Sequence, residues 1–254
     1  MAVSWVKPTS RFPVLTPLRT RLPILIDHAD APGTDLVIAF SSIGHDPARP
    51  PSPEFVGTAT GKGGTPRRAL FVRDAARSWG NHPDFAPALA QALADVTARA
   101  PVRRIAAIGL SMGGYAALVA ARLLPVDVVL AFGPQHALTP PDPRWSHWMA
   151  ALPPLIHPVA PLPPPGRAVL FHGAQDDLAT ARRFPSGAGI DHLVFPHQSH
   201  ASLVPHLKTR GCLAGLLDAA LDGDRRRLLR IATSAGGTRR TGQPAPRQRN
   251  QPPD

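Results

Sequence analysis

The chain has 254 residues, 43% hydrophobic and 18% charged, which describes a globular protein with room for one single-core domain and too little for two full ones. A single cysteine, Cys212, excludes an internal disulfide framework, no zinc-type cysteine spacing exists, and a reducing, cytoplasmic setting is expected. The formal charge is +11, yet eight of the 28 basic residues follow Leu221, leaving 20 basic against 14 acidic residues on positions 1–221. Nearly all basic residues are Arg, Glu54 is the only glutamate, and Ala and Pro abound, so the charge reads as compositional bias and no nucleic-acid partner is expected.

No apolar run within residues 1–21 reaches signal-peptide length and nothing in the chain approaches a membrane span, so no membrane partner is expected. Residues 22–27 read as an early strand, kept to an edge or an end by Pro23. Residues 35–40 (DLVIAF) form a short, almost continuous apolar run ending in Ser41-Ser42-Ile43-Gly44, as suits a strand buried on both faces of a parallel sheet. Residues 46–68 read as loop, 69–73 as a strand and 87–99 as an alanine-rich helix. A strand over 104–108 runs into a helix over 112–124, closed by Pro125, and a strand follows over 126–132. Proline is dense over 134–166. A strand is then expected over 168–171, a short helix over 177–184, a last strand over 192–195 and a closing helix over 201–220.

This alternation predicts an α/β fold with a mainly parallel central sheet and helices on both faces. The expected organisation is a domain over 1–222, carrying a proline-rich cap or lid insertion at 134–166, and a basic, disordered tail over 223–254.

Gly109-Leu110-Ser111-Met112-Gly113 matches G-x-S-x-G between an apolar strand and a small-residue helix. Such a turn thrusts the serine hydroxyl above the sheet edge, and the N–H after it faces the reacting oxygen, supported by the helix dipole. A serine hydroxyl is a weak nucleophile, so an acid and then a histidine should follow it in the chain. The strand over 168–171 leads into His172-Gly173-Ala174-Gln175-Asp176-Asp177, and the last strand ends in His197-Gln198-Ser199-His200. Either aspartate could instead cap the next helix. His200, against the final helix, is the expected base, with His197 in reserve. Thr60-Gly61-Lys62-Gly63 lacks phosphate-loop spacing, and His197-x-x-His200 has no third ligand at helical spacing, so no cofactor or metal is expected.

With GLSMGG as elbow and FHGAQDD as acid turn, residues 22–221 resemble an α/β-hydrolase. The resemblance implies a serine esterase-like enzyme in which Ser111, Asp176 and His200 form a catalytic triad. Asp176 is preferred to Asp177 because Gly173-x-x-Asp176 resembles the superfamily's acid turn. It also implies an oxyanion hole formed by Met112 N–H and a second donor from Ser42 or Ile43. Ser41-Ser42 stand where many members carry His-Gly. FVRDAARSWGN, residues 71–81, resembles a subgroup related to a bacterial accessory-secretion protein and glycan-linked hydrolases or acyltransferases. Asp74 within it reads as a structural loop acid and as the fallback triad member.

In the proline-rich insertion, Trp145, Trp148 and Met149 share one helical face, either as an apolar lid over an acyl pocket or as an anchor on the core. The expected substrate is a small-molecule ester or related acyl compound, cleaved through an acyl-enzyme on Ser111. Acyl transfer to an alcohol or glycan, and a non-catalytic binding role for the fold, are the alternatives.

Overall fold

The computed structural model describes residues 13–150, 152–162, 167–185 and 190–240. In chain order the strands are β1 (Thr16–Arg19), β2 (Ile24–Ala29), β3 (Asp35–Phe40), β4 (Arg68–Asp74), β5 (Arg104–Leu110), β6 (Val128–Phe132), β7 (Arg167–Gly173), β8 (Ile190–Phe195) and β9 (Thr238–Arg239). They form one sheet in the order β1-β2-β4-β3-β5-β6-β7-β8-β9. The six strands from β4 to β8 run parallel, while β1 and β2 at one edge and β9 at the other are antiparallel.

The helices are α1 (Val56–Ala59), α2 (Phe85–Arg99), α3 (Met112–Leu123), α4 (Ser146–Met149), α5 (Leu178–Arg183), α6 (Leu203–Thr209), α7 (Cys212–Leu221) and α8 (Arg225–Ser234). Because side chains alternate along a strand, β3 sends Leu36, Ile38 and Phe40 into one core and Val37 and Ala39 into the other. Phe85, Leu89 and Val96 of α2 and Tyr115 of α3 fill the first core; Leu207, Leu216 and Leu217 of α6 and α7 fill the second. Burial on both faces explains why the strands read as unbroken apolar runs. Among the described residues, no helix is long and apolar enough to cross a membrane.

Three expectations are sharpened or corrected. The 22–27 strand begins at Ile24 and runs to Ala29, so Pro23 stands just before its N-terminal end, the second of the two expected places, and the strand lies between β1 and β4. The closing helix is two helices, α6 and α7, which meet at Gly211. The basic segment does not leave the fold at residue 223. Asp224 caps α8 by accepting from Arg227 N–H at 2.9 Å, Leu228 and Ala232 are buried, and Arg225 makes a bidentate pair with Asp191 at 2.7 Å. β9 then adds an antiparallel edge to β8. Four arginines, Arg225, Arg226, Arg227 and Arg230, hid an amphipathic helix whose apolar positions recur every three or four residues. Residues 241–254 of the expected tail lie outside the described residues, as do 151 and 163–166 of the insertion.

Candidate active site

Ser111 joins β5 to α3 with φ of 56° and ψ of −120°, a strained conformation for a residue with a side chain. Its N–H donates to Phe132 O at 2.8 Å and its carbonyl accepts from Tyr115 N–H at 3.0 Å, so β6 and the first turn of α3 hold the turn on both sides. A Cβ on Gly113 would lie 2.3 Å from Phe40 O, so only glycine lets α3 approach the end of β3 this closely. Met112 N–H, first in α3, has no acceptor among the described residues.

The segment after β3 faces this turn. Ser41 N–H is committed to Val72 O at 3.0 Å, and its hydroxyl to Ser52 O at 2.8 Å. Ser42 donates its hydroxyl to Glu54 Oε1 at 2.5 Å. Burial raises the Glu54 carboxyl above the ordinary range, partly opposed by its hydrogen bonds from Ser42. The 71–81 motif organises the same segment. Asp74 accepts from the N–H and hydroxyl of Ser78, both at 2.7 Å. Arg77 is buried and donates to the carbonyls of Ile43, Asp46, Arg49 and Ala75. Asp74 thus builds a turn, in keeping with the structural reading.

The carboxylate paired with the His200 ring belongs to Asp177, whose Oδ2 lies 2.7 Å from Nδ1. Asp176, the residue expected from spacing, instead accepts from the His200 backbone N–H at 2.6 Å. The reserve base His197 is exposed, whereas His200 is buried. Burial alone would raise the Asp177 carboxyl, but the His200 hydrogen bond, the His200 and His172 charges and the Arg144 hydrogen bond outweigh it and hold the carboxyl below its ordinary range. Arg144 Nη1 reaches Asp177 Oδ1 at 2.9 Å while the same guanidinium grips Asp142. Both oxygens of Asp177 are therefore committed.

The loop after β6 touches both halves of the site. A Cβ on Gly133 would stand 2.9 Å from His200 Nδ1 and 3.2 Å from Asp177 Oδ2, so its absence makes room for the pair. Two residues later, buried Gln135 donates from Nε2 to Ser111 Oγ at 3.1 Å and accepts from Trp79 Nε1 at 2.9 Å. Ser111 and the His200–Asp177 pair thus converge on residues 132–135. Among the described residues no hydrogen bond joins His200 to Ser111; the hydroxyl's partner is Gln135 and the ring's partner is Asp177.

Behind this loop, His172 Nε2 lies 3.1 Å from Pro134 O, and His172 Nδ1 lies 2.8 Å from His192 Nε2. A carbonyl only accepts, so His172 carries its proton on Nε2 and receives one bond from His192. Arg240 Nη1, 3.3 Å from His192 Nδ1, completes the chain. Both histidines are neutral at neutral pH, because burial pushes His172 down to about 4 and His192 to about 3.

The proline-rich insertion crosses above. Tyr115 donates to His157 O at 2.6 Å and His157 N–H to Asn81 Oδ1 at 2.7 Å. Its aromatic residues and Met149 pack against both the core and the site. Met149 is buried in the first core, Trp148 lies under the Arg77 guanidinium at 4.7 Å, and Trp145 sits 5.0 Å from the His200 ring. Gln135 and Arg144 were missed in the sequence because they lie in the proline-rich insertion, and His172 and His192 because they lie within the strands β7 and β8. Only Gln135 offered a signal, its place just past a parallel strand's C-terminal end.

No protein-family model and no curated protein sequence matches the chain. Among solved structures it is similar to 2,6-dihydroxy-pseudo-oxynicotine hydrolase, with 16% identity and a TM-score of 0.56 over 82% of this chain and 68% of that one. It is similar to an esterase from the archaeon Pyrobaculum calidifontis, with 14% identity and a TM-score of 0.56 over 84% and 85%. It is also similar to the capsule O-acetyltransferase of Neisseria meningitidis serogroup A, with 11% identity and a TM-score of 0.52 over 74% and 88%. The chain has the α/β-hydrolase fold.

Proposed function

We propose that the chain is a serine hydrolase that cleaves carboxylic esters of small molecules through an acyl-enzyme on Ser111. The observation that carries this reading is the strained Ser111 turn facing the same loop as a buried His200–Asp177 pair. Similarity to esterases and hydrolases of the same fold supports it.

His200 takes the Ser111 proton as Oγ attacks the acyl carbon, and Asp177 orients the ring and stabilises the imidazolium. Met112 N–H receives the oxyanion, with Ser42 or Ile43 of the segment after β3 supplying the second donor. His200 protonates the departing alkoxide, then activates water to release the acid. Hydrolysis of 4-nitrophenyl acetate and labelling by a fluorophosphonate probe test the reading. Wild type is expected to label and Ser111→Ala is not. Equal labelling of the two, or none of wild type, overturns it.

A further inference from the structure

Gln135 lies within hydrogen-bond reach of the reacting oxygen, with its side chain buried and its orientation fixed. An indole N–H can only donate, so the amide oxygen of Gln135 must face Trp79 and its NH2 must face Ser111. Trp79 is itself fully buried and held at φ of 52°, inside the turn that Asp74 and Ser78 build. The amide is therefore not free to flip its carbonyl toward the serine. Ser111 Oγ accepts one bond from Gln135 and keeps its own proton available for His200.

We propose that Gln135 is a catalytic residue whose amide N–H stabilises negative charge on Ser111 Oγ as the serine attacks and again as it leaves, with Trp79 as the positioning residue that orients the amide. The proposal rests on Ser111 being the nucleophile. During attack the Oγ–H proton passes to His200, one Oγ electron pair forms the bond to the acyl carbon, and the carbonyl π pair moves to the oxyanion. Collapse expels the alcohol, which takes the proton from His200. During deacylation a water proton goes to His200, water oxygen bonds to the acyl carbon, and the Oγ–C bond breaks with its electron pair returning to Oγ. His200 then returns the proton to Oγ. Gln135 keeps its protons throughout. Its bond strengthens whenever Oγ carries charge, because charge-assisted bonds are stronger than neutral ones. This donor acts on the nucleophile, separately from the oxyanion hole, which acts on the carbonyl oxygen.

Gln135→Met keeps the length of the side chain and removes the donor, but it orphans the Trp79 indole. The double variant Trp79→Phe/Gln135→Met removes that orphan as well. Fluorophosphonate labelling rates, pre-steady-state acylation and deacylation of 4-nitrophenyl acetate, and thermal midpoints are measured for wild type and both variants. Labelling, acylation and deacylation are expected to fall together by about 10- to 100-fold in Gln135→Met, with KM unchanged. In the double variant the midpoint recovers and the rates stay low. Wild-type rates in Gln135→Met, or rates that recover with the midpoint in the double variant, overturn the proposal and leave the hydrolase reading intact. Absence of labelling in wild type overturns that reading and this one with it.

Discussion

Asp177 Oδ2 stands 2.7 Å from His200 Nδ1, while the neighbouring Asp176 binds the backbone N–H of the same histidine at 2.6 Å. Adjacent carboxylates thus do different work on one residue: the first meets its ring, the second fixes the chain that carries it. Asp177→Asn is expected to lower kcat/KM for 4-nitrophenyl acetate by about 1,000- to 10,000-fold, because an amide neither stabilises the imidazolium nor holds the required tautomer. Asp176→Asn keeps an acceptor for the backbone N–H and should cost less than about 10-fold. The ratio between the two variants assigns the triad acid, and a reversed ratio returns the role to Asp176.

Gly133 has φ of +52°, and its missing Cβ would lie 2.9 Å from His200 Nδ1. Gly133→Ala should lose about 1–2 kcal/mol to the left-handed backbone. Its larger effect is to displace the imidazole, and a shift near 1 Å lowers kcat by about 100-fold. Paired measurements of melting temperature and kcat will separate the two. Loss of stability with unchanged kcat per folded molecule would show that the ring does not depend on this space.

The His172–His192 pair gives acid sensitivity a defined sign. Each ring is neutral when folded, with values near 4 and 3, whereas in the unfolded chain each binds a proton around 6.5. Between those limits the unfolded state holds more protons, so stability is full above about 6.5 and falls as pH drops toward 4, by up to about 1.4 kcal/mol per pH unit for each histidine. Asp177 has the depressed carboxylate pattern, and its contribution is lost only lower, as pH falls below its ordinary 3.8. Urea midpoints between pH 7 and 4.5 measure the slope. His192→Gln retains a donor and an acceptor without titrating and should remove its share of the slope; His172, and His28, His136 and His157, also lowered by burial, account for the slope that remains.

Leu228 of α8 is 3% exposed in the second core. Leu228→Ala should therefore destabilise the protein by about 2–4 kcal/mol, read from urea unfolding. A leucine in an unstructured tail would give no measurable change.

The sheet was legible because burial on both faces writes strands as apolar runs: residues 35–40 give β3 directly, and the run into Ser111 gives β5, its turn and α3. Helix α8 was not legible, since its apolar stripe is two buried positions among arginines and becomes meaningful only once β8 and α7 present a surface to cover.

Ser111 and His200 were readable for a related reason. A G-x-S-x-G turn between strand and helix, and a histidine at the end of the last parallel strand, are fixed by local backbone geometry and chain order. The choice between Asp176 and Asp177 was not local. It depends on which carboxylate the turn after β7 aims at a ring 23 or 24 residues later, past the gap at Gly133 and against Arg144 from the insertion. Gln135 belongs to the same category: its amide orientation is set by an indole 56 residues away. Sequence by itself determined the fold, the place of the G-x-S-x-G turn between β5 and α3, and the place of His200 beyond the last parallel strand, which follow from short-range pattern and burial. Only the tertiary structure decided the acid and the donor on Ser111 Oγ, because side-chain direction and hydrogen-bond partner are properties of packing between distant segments.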